Sequence, residues 1–171
     1  ECDLQNKTLE FNVARQNFSA KDQLRPLKKW GLIDYEPSLC IMCEKCVHVC
    51  NEVIGDDAIE VQFGGYKSTI IPKGSDVLDC TFCGECIAVC PVGALTNRDF
   101  RFKARVWDMA HTNTICNGCA RGCNIEVWTR NNEVLRLVPR HNEEVNSYWM
   151  CDHGRLNTFK FINAGDRVDV P

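Results

Sequence analysis

An α+β fold is what this sequence predicts, and three observations carry the prediction. Thirteen cysteines stand among 171 residues. Four of them recur with identical spacing forty positions further on. The stretches between the cysteine groups alternate apolar and polar residues in short runs bounded by Gly, Asn and Pro, the pattern of hairpin strands.

Composition sets the outer limits. An apolar share of 44% with 25% charged residues is a globular balance, and the length fits one or two domains. No apolar run reaches the roughly 18 residues of a membrane span, and Glu1-Cys2-Asp3-Leu4 has neither the basic nor the apolar part of a signal peptide. Direct membrane insertion is therefore not expected. A net charge of -3 without a long basic stripe argues against nucleic acid. Basic residues cluster only from Lys21 to Lys29, read as a solvated patch. Thirteen is odd, and the spacings are those of metal ligands and not of a disulfide framework, which implies a reducing compartment. The first residue is not Met and Cys2 stands alone, so the polypeptide reads as a piece of something longer.

The repeat organises the middle of the sequence. Cys40, Cys43, Cys46 and Cys50 are matched by Cys80, Cys83, Cys86 and Cys90, each group reading C-x2-C-x2-C-x3-C, and Pro91 follows the second. This is the bacterial ferredoxin run. Three thiolates on a tight loop reach three corners of one [4Fe–4S] cube, while the fourth, one helical turn onward, points away and serves the other cube. The expected ligand sets are thus Cys40, Cys43, Cys46 and Cys90 for cluster 1, and Cys80, Cys83, Cys86 and Cys50 for cluster 2. Two short crossing helices would carry Cys50 and Cys90. Ala58 to Phe63 alternates as a strand, Gly64-Gly65 turns, and Tyr66 to Ile71 returns before Pro72, with Ala94-Leu95-Thr96 as a matching stub after the second motif. Structural zinc is the competing reading, but a third cysteine at x2 in both repeats exceeds what a closed zinc site uses. His48 reads as a partly buried neighbour and not a ligand, since Ala88 takes its place in the second repeat.

A third motif follows. Arg98 to Met109 mixes basic and aromatic residues and reads as a connecting segment. Cys116, Cys119 and Cys123 precede Cys151 by 27 intervening residues, again three local thiolates and a distant one, the expected cluster 3. Asn124 to Arg130 and Glu133 to Val138 alternate around Asn131-Asn132, whose residues tolerate the positive φ of a tight hairpin. The predicted fold class is then a ferredoxin-like twin [4Fe–4S] domain followed by a small β-rich [4Fe–4S] domain. Residues 1–35 form the end of a further segment and a linker, 36–98 the twin domain, and 99–171 a linker and the small domain.

The order of motifs, from Glu1-Cys2-Asp3-Leu4-Gln5 through Cys90-Pro91-Val92-Gly93-Ala94-Leu95 to Cys151-Asp152-His153-Gly154-Arg155, resembles the N-terminal iron–sulfur region of the large subunit (the G subunit) of NADH:quinone oxidoreductase, respiratory complex I. Its superfamily includes the iron–sulfur arms of NAD-linked formate dehydrogenases and [FeFe] hydrogenases. The resemblance implies that Cys2 is the last ligand of a His/Cys3 cluster whose other ligands are not among these residues. It also implies three [4Fe–4S] clusters here and no substrate site, hence no catalytic residue in this segment of the enzyme. Electrons would come from NADH through a flavin subunit and continue to ferredoxin-type or quinone-site subunits, in a peripheral arm on the cytoplasmic side of the inner membrane. The second cluster of the pair departs from the commonest complex I sequences and points toward hydrogenases and formate dehydrogenases; the Cys116 to Cys151 motif is not the pattern of a hydrogenase's catalytic cluster domain, which leaves an iron–sulfur arm of a molybdenum or tungsten formate dehydrogenase as the alternative. Against it, His153 stands where those enzymes carry a Lys between cluster and pterin; His153 is read either as tuning the third cluster or as a surface residue. A zinc-bound interaction module is the third reading.

Overall fold

A computed structural model describes residues 2–15 and 24–165. The protein divides into two compact units, one made of Glu1–Cys80 with Glu85–Arg98, the other of Thr81–Gly84 with Asp99–Pro171. Mixed short helices and small antiparallel sheets make both of them α+β.

In the first unit, helix α1 (Asp3–Glu10) buries none of its residues. It is held at its start by the Leu4 N–H donating to the Pro91 carbonyl at 3.1 Å. Strands β1 (Lys28–Trp30) and β2 (Ile33–Tyr35) form a hairpin. The turn between them uses Gly31 at φ 59, in the left-handed region where glycine is unstrained. The expected stub after the second motif is strand β5 (Leu95–Asn97), and it pairs with β2 to complete a three-stranded sheet. These strands of three residues each are too short for alternation to register, which is why the pair at 28–35 reads as linker in sequence. Trp30 stacks on Tyr35 with centroids 4.8 Å apart, a contact worth about 0.5–1.5 kcal/mol beyond burial. Ile33, Ile59, Ile70, Ile87, Ala94 and Leu95 are among the other buried apolar side chains of this unit.

The hairpin between the cysteine motifs is β3 (Ile59–Gln62) with β4 (Thr69–Pro72), shorter than the sequence predicts. Gly64 and Gly65 lead into a single 3-10 turn over Gly65–Lys67, and Ser68 clamps it, accepting from Gly64 N–H at 3.1 Å and donating to the Gly65 carbonyl at 2.7 Å. The return strand therefore begins at Thr69, and Tyr66 is exposed. The basic patch also differs from a merely solvated one. Arg25 donates to the Ser68 and Tyr66 carbonyls at 3.1 and 2.9 Å, so it ties the linker to this turn, while residues 16–23, including Lys21, lie outside the described residues.

The two crossing helices are one turn each: α2 (Lys45–His48), which continues as a π-helical turn over Val49–Ile54 carrying Cys50, and α3 (Glu85–Ala88), with Cys90 just past its end. They pack against one another. Gly55 at φ 83 closes the π-helical turn, its N–H donating to the Cys50 carbonyl at 2.9 Å, as a left-handed cap does.

In the second unit, β6 (Ala110–Ile115), β7 (Asn124–Arg130) and β8 (Glu133–Pro139) form an antiparallel sheet in that order. The predicted β7–β8 hairpin turns through Asn131 and Asn132 at φ 52 and 62, as a type I′ turn requires. The polar, fully exposed edge strand β6 carries no apolar alternation that sequence reading could use. One sheet face packs Ile125, Val134 and Leu137 against Cys116, Cys123 and Met150. A cross-strand row on the sheet is aromatic and cationic: His111 stacks on Trp128 at 4.7 Å, and the buried Arg136 guanidinium lies 4.4 Å from the Trp128 ring and 5.1 Å from Phe100. A bulge between Trp128 and Thr129 shifts the register so that Thr129 opposes Val134, and both Val134 and Leu135 are buried.

Past β8 the backbone folds back on Asn146, 2% exposed. Its amide accepts from Asn124 N–H at 2.9 Å and donates to the carbonyls of Asn124, Arg140 and Trp149 at 3.4, 3.3 and 3.1 Å. A π-helical turn over His153–Asn157 and helix α4 (Thr158–Ile162) close the unit.

Asn146→Ala removes these four hydrogen bonds, leaving the Asn124 carbonyl its bond from the Arg140 N–H, and is expected to cost about 2–3 kcal/mol, measured as a lower unfolding midpoint in denaturant. At the hairpin, Asn132→Gly is expected to stay within about 0.5 kcal/mol of the parent, whereas Asn132→Val, β-branched at positive φ, is expected to cost about 1–2 kcal/mol in the same assay.

Candidate metal centre

The cysteine loops start from backbone geometry. Met42 and Glu44 have φ of 54 and 60, and their counterparts forty residues on, Phe82 and Gly84, have φ of 49 and 78. Each loop thus alternates into the left-handed region on both sides of its second cysteine, turning the backbone around a point instead of along a helix. The duplication visible in the letters is a duplication of backbone shape.

Cys40, Cys43 and Cys46 line one cavity together with Cys90, which comes from the second motif. The cavity has about 340 Å³ of space, part of it open to solvent, and its other walls are Tyr35, Ile41, Glu44, Ile70, Val92, Ala94 and Leu95. Cys90 arrives there because α3 packs on α2 and because the backbone of Glu36 donates to the Ala94 carbonyl at 2.8 Å, pinning the stretch after Cys90 to the stretch before Cys40. Cys46 is buried and Cys43 is exposed, so one side of the quartet is dry and the other wet. Burial pushes the Cys46 thiol up to about 12, and the charges of Cys40, Cys90 and Cys43 push in the same direction. Four such thiolates oppose one another's ionisation, and the arrangement is stable in charged form only around a cationic group. The donor set and its dry side therefore fit an iron–sulfur centre. Among the described residues no three His, Cys, Asp or Glu side chains are placed to hold a single metal ion.

The second quartet is met unit by unit. Cys50 lies on the π-helical turn of the first unit, where its Sγ accepts from the Ala58 N–H at 3.5 Å. Cys86 lies on α3, which packs against that turn, and Cys80 belongs to the same unit. Cys83 belongs to the second unit, where Arg155 donates to its carbonyl at 2.9 Å. A side chain at Gly84 would meet Arg155 atoms at 2.7–2.9 Å, so glycine is required there by close approach as well as by its positive φ.

In the second unit, Cys116 and Cys123 stand at one end of the β6–β7 pair. The Cys116 N–H donates to the Cys123 carbonyl at 2.8 Å, closing the loop that holds Cys119, and Cys151 enters just before the π-helical turn. Burial raises the Cys123 thiol; Cys116, Cys119 and Cys151 add to that rise, and Arg121 opposes it. Gly154 donates its N–H to Cys151 Sγ at 3.3 Å, and a methyl group in its place would come 2.8 Å from Met150 Cε, an atom of a side chain with 0% exposure.

Three residues are placed more clearly by the structure than by sequence. His48 is exposed, contrary to the partly buried neighbour expected, because α2 turns it outward to Glu52 at 2.6 Å; that hydrogen bond raises its pKa. His153 is exposed with its ring edge toward Gly118, while its backbone N–H donates to Asp152 Oδ1 at 2.7 Å. Cys2 stands before α1 with its Sγ 3.7 Å from the Pro91 carbonyl. Sequence reading passes over Tyr35 and the N–H groups of Ala58 and Gly154. No signal in the letters marks them, since each acts through the fold and not through spacing.

Residues 31–96 match the ferredoxin-like domain of NADH-quinone oxidoreductase subunit 3, and residues 109–158 match the NADH-ubiquinone oxidoreductase NDSU1/NuoG-like 4Fe-4S domain. The alpha subunit of NADPH-Fe(3+) oxidoreductase from Geobacter sulfurreducens is 39% identical over 172 residues, covering 100% of this chain and 20% of the relative. The second G subunit of NADH-quinone oxidoreductase from Rhizobium meliloti is 32% identical over 174 residues with the same coverage. The corresponding G subunit from Rickettsia felis is 33% identical over 158 residues, covering 92% of this chain and 24% of the relative. The protein thus spans about a fifth to a quarter of the length of these relatives. No described helix is long and apolar enough to cross a membrane. With both its domains matched and its whole length aligned to such subunits, the chain belongs to the iron–sulfur family of the NADH-quinone oxidoreductase subunit 3/NuoG type.

Proposed function

We propose that this protein is an electron relay, the part of a nicotinamide-linked dehydrogenase complex that carries single electrons between a flavin subunit and a downstream acceptor. The observation that supports it most is the crossing of the motifs, with Cys90 of the second lining one cavity with Cys40, Cys43 and Cys46 of the first. In this reading three [4Fe–4S] groups are held, by Cys40, Cys43, Cys46 and Cys90; by Cys80, Cys83, Cys86 and Cys50; and by Cys116, Cys119, Cys123 and Cys151. Each such group supplies a one-electron couple that needs no acid, base or substrate pocket. The protein's own residues bury the thiols, direct N–H groups at sulfur as Ala58 and Gly154 do, and leave Cys43 and Cys119 at the surface. Cys2 is the last ligand of a further His/Cys3 centre in the same reading. The three-part organisation, 1–35, 36–98 and 99–171, follows from it, as does a place in a peripheral arm on the cytoplasmic side of the inner membrane.

NADH as donor and quinone as acceptor are favoured by the relatives from Rhizobium and Rickettsia. A second reading, with NADPH as donor and Fe(3+) as acceptor, is favoured by the identity of 39% to the Geobacter protein. A formate dehydrogenase arm is not favoured, since both sets of relatives are named for nicotinamide-linked oxidoreductases. The two donors and acceptors are separated by steady-state assays of the intact complex with each pair.

Anaerobically purified protein is expected to hold about twelve iron and twelve acid-labile sulfide from these twelve cysteines, without zinc; zinc without sulfide would sink the redox reading. Cys90→Ala and Cys43→Ala are each expected to remove about four iron and the same paramagnetic signal, whereas Cys50→Ala and Cys83→Ala remove a different one. Loss of the same signal by Cys90→Ala and Cys83→Ala would overturn the crossed ligand sets.

A further inference from the structure

Arg155 is 4% exposed, and its Nη1 donates to the Cys83 carbonyl at 2.9 Å. Both residues belong to the second unit, which takes in Thr81–Gly84. The backbone of Arg155, in the π-helical turn over His153–Asn157, is fixed as well, its N–H donating to the Cys151 carbonyl at 2.9 Å. The guanidinium is thus carried on an anchored turn to the backbone of a cysteine 72 residues away in sequence. It also passes over Gly84. A Cβ there would come within 2.7 Å of Arg155 Nε and 2.9 Å of its Cδ and Cζ, closer than carbon packs on any neighbour.

The first repeat shows that the loop itself does not demand glycine at this place. Glu44, forty residues earlier, has φ 60 where Gly84 has φ 78, and it bears a full side chain in the same left-handed region. What forbids a side chain at Gly84 is therefore Arg155. The cysteine one position earlier differs accordingly, Cys43 being exposed and Cys83 buried. We propose that Arg155 is a positioning residue of the second quartet: it holds the Cys83 backbone so that the thiolate is presented to an iron–sulfur group, and Gly84 is bare so that the guanidinium can reach that backbone. The inference rests on the reading that Cys50, Cys80, Cys83 and Cys86 hold such a group. A guanidinium has only donors to offer, in a rigid plane, so it orients a ligand's backbone and does not ligate. Residues that orient ligands in this way typically contribute 10- to 100-fold to the retention of the group.

The test uses the full protein in its complex and with its clusters, the second paramagnetic signal being the one that Cys50→Ala removes. In the presence of excess iron chelator, Arg155→Met is expected to lose that signal about tenfold faster than the parent. The first signal should keep its lifetime. So should the third, because the bond from Arg155 to Cys151 is made by the backbone and survives the substitution. Arg155→Lys still offers an N–H to the carbonyl and should restore most of the lifetime of the second signal; a merely structural role would not single out one signal of three. Gly84→Ala reaches the same contact from the other side and decides alone where Arg155→Met does not fold. Its methyl displaces the guanidinium, and the second signal should again be lost about tenfold faster. Both substitutions together should lose it no faster than either one, since they remove a single contact; additive losses would assign the glycine to its φ and overturn the link to Arg155. A parent without iron and sulfide overturns the reading on which the inference rests. Clusters present, with the second signal as long-lived in the variants as in the parent or with the first lost beside it, overturn the role of Arg155 and leave that reading standing.

Discussion

Four thiols crowded into a partly dry cavity oppose one another's ionisation and lose their water, and the fold around Cys40, Cys43, Cys46 and Cys90 answers that one electrostatic constraint. Cys46 shows it most plainly, its thiol pushed up to about 12 by burial and by three neighbouring cysteines. Cys123 repeats the pattern in the other unit. A quartet of this kind is a liability in the empty protein and an asset once a cationic group neutralises it, so binding free energy becomes folding free energy. The left-handed residues at Met42, Glu44, Phe82 and Gly84 have the same origin. Three of these four positions are not glycine, and their strain persists because the loops must wrap a centre.

The cores behind these loops are small. The first unit relies on strands of three and four residues and on the Trp30–Tyr35 stack. The second relies on one sheet, whose row of His111, Trp128, Arg136 and Phe100 uses a buried guanidinium between aromatic rings where a larger protein would use aliphatic packing. Polar side chains take over duties that a deep core would otherwise perform. Asn146 satisfies four backbone groups, and Arg25 anchors an irregular segment to the β3–β4 turn. In such small units the ligating loops stand close to the strands that hold them, and Tyr35 can be at once core, hydrogen-bond hub and cavity wall.

Legibility in the sequence followed the range of the interaction. The β7–β8 hairpin was readable because its alternation and its Asn131-Asn132 turn are contiguous along the backbone. The β3–β4 hairpin was readable in kind but not in extent, since Ser68 shapes the return by hydrogen bonds that no periodicity encodes. Strands β1, β2 and β6 were missed. The first two are too short to show a period, and the third is exposed along its whole length. His48 looked like a neighbour of the centre from its position, yet a helical residue next to a ligand need not face it, and it faces Glu52.

Spacing alone predicts three sets of thiols, names the local loops that carry them and points to the family of chemistry they suit. Those facts depend on backbone geometry over a few residues, which every copy of C-x2-C-x2-C shares. Tertiary structure decided what surrounds the sulfurs: which thiols are dry, which N–H groups point at Cys50 and Cys151, and that Tyr35 walls the cavity of the first quartet. Those are contacts between residues far apart in sequence, as Tyr35 and Thr69 are, and their energies arise only when packing brings the partners within hydrogen-bond distance.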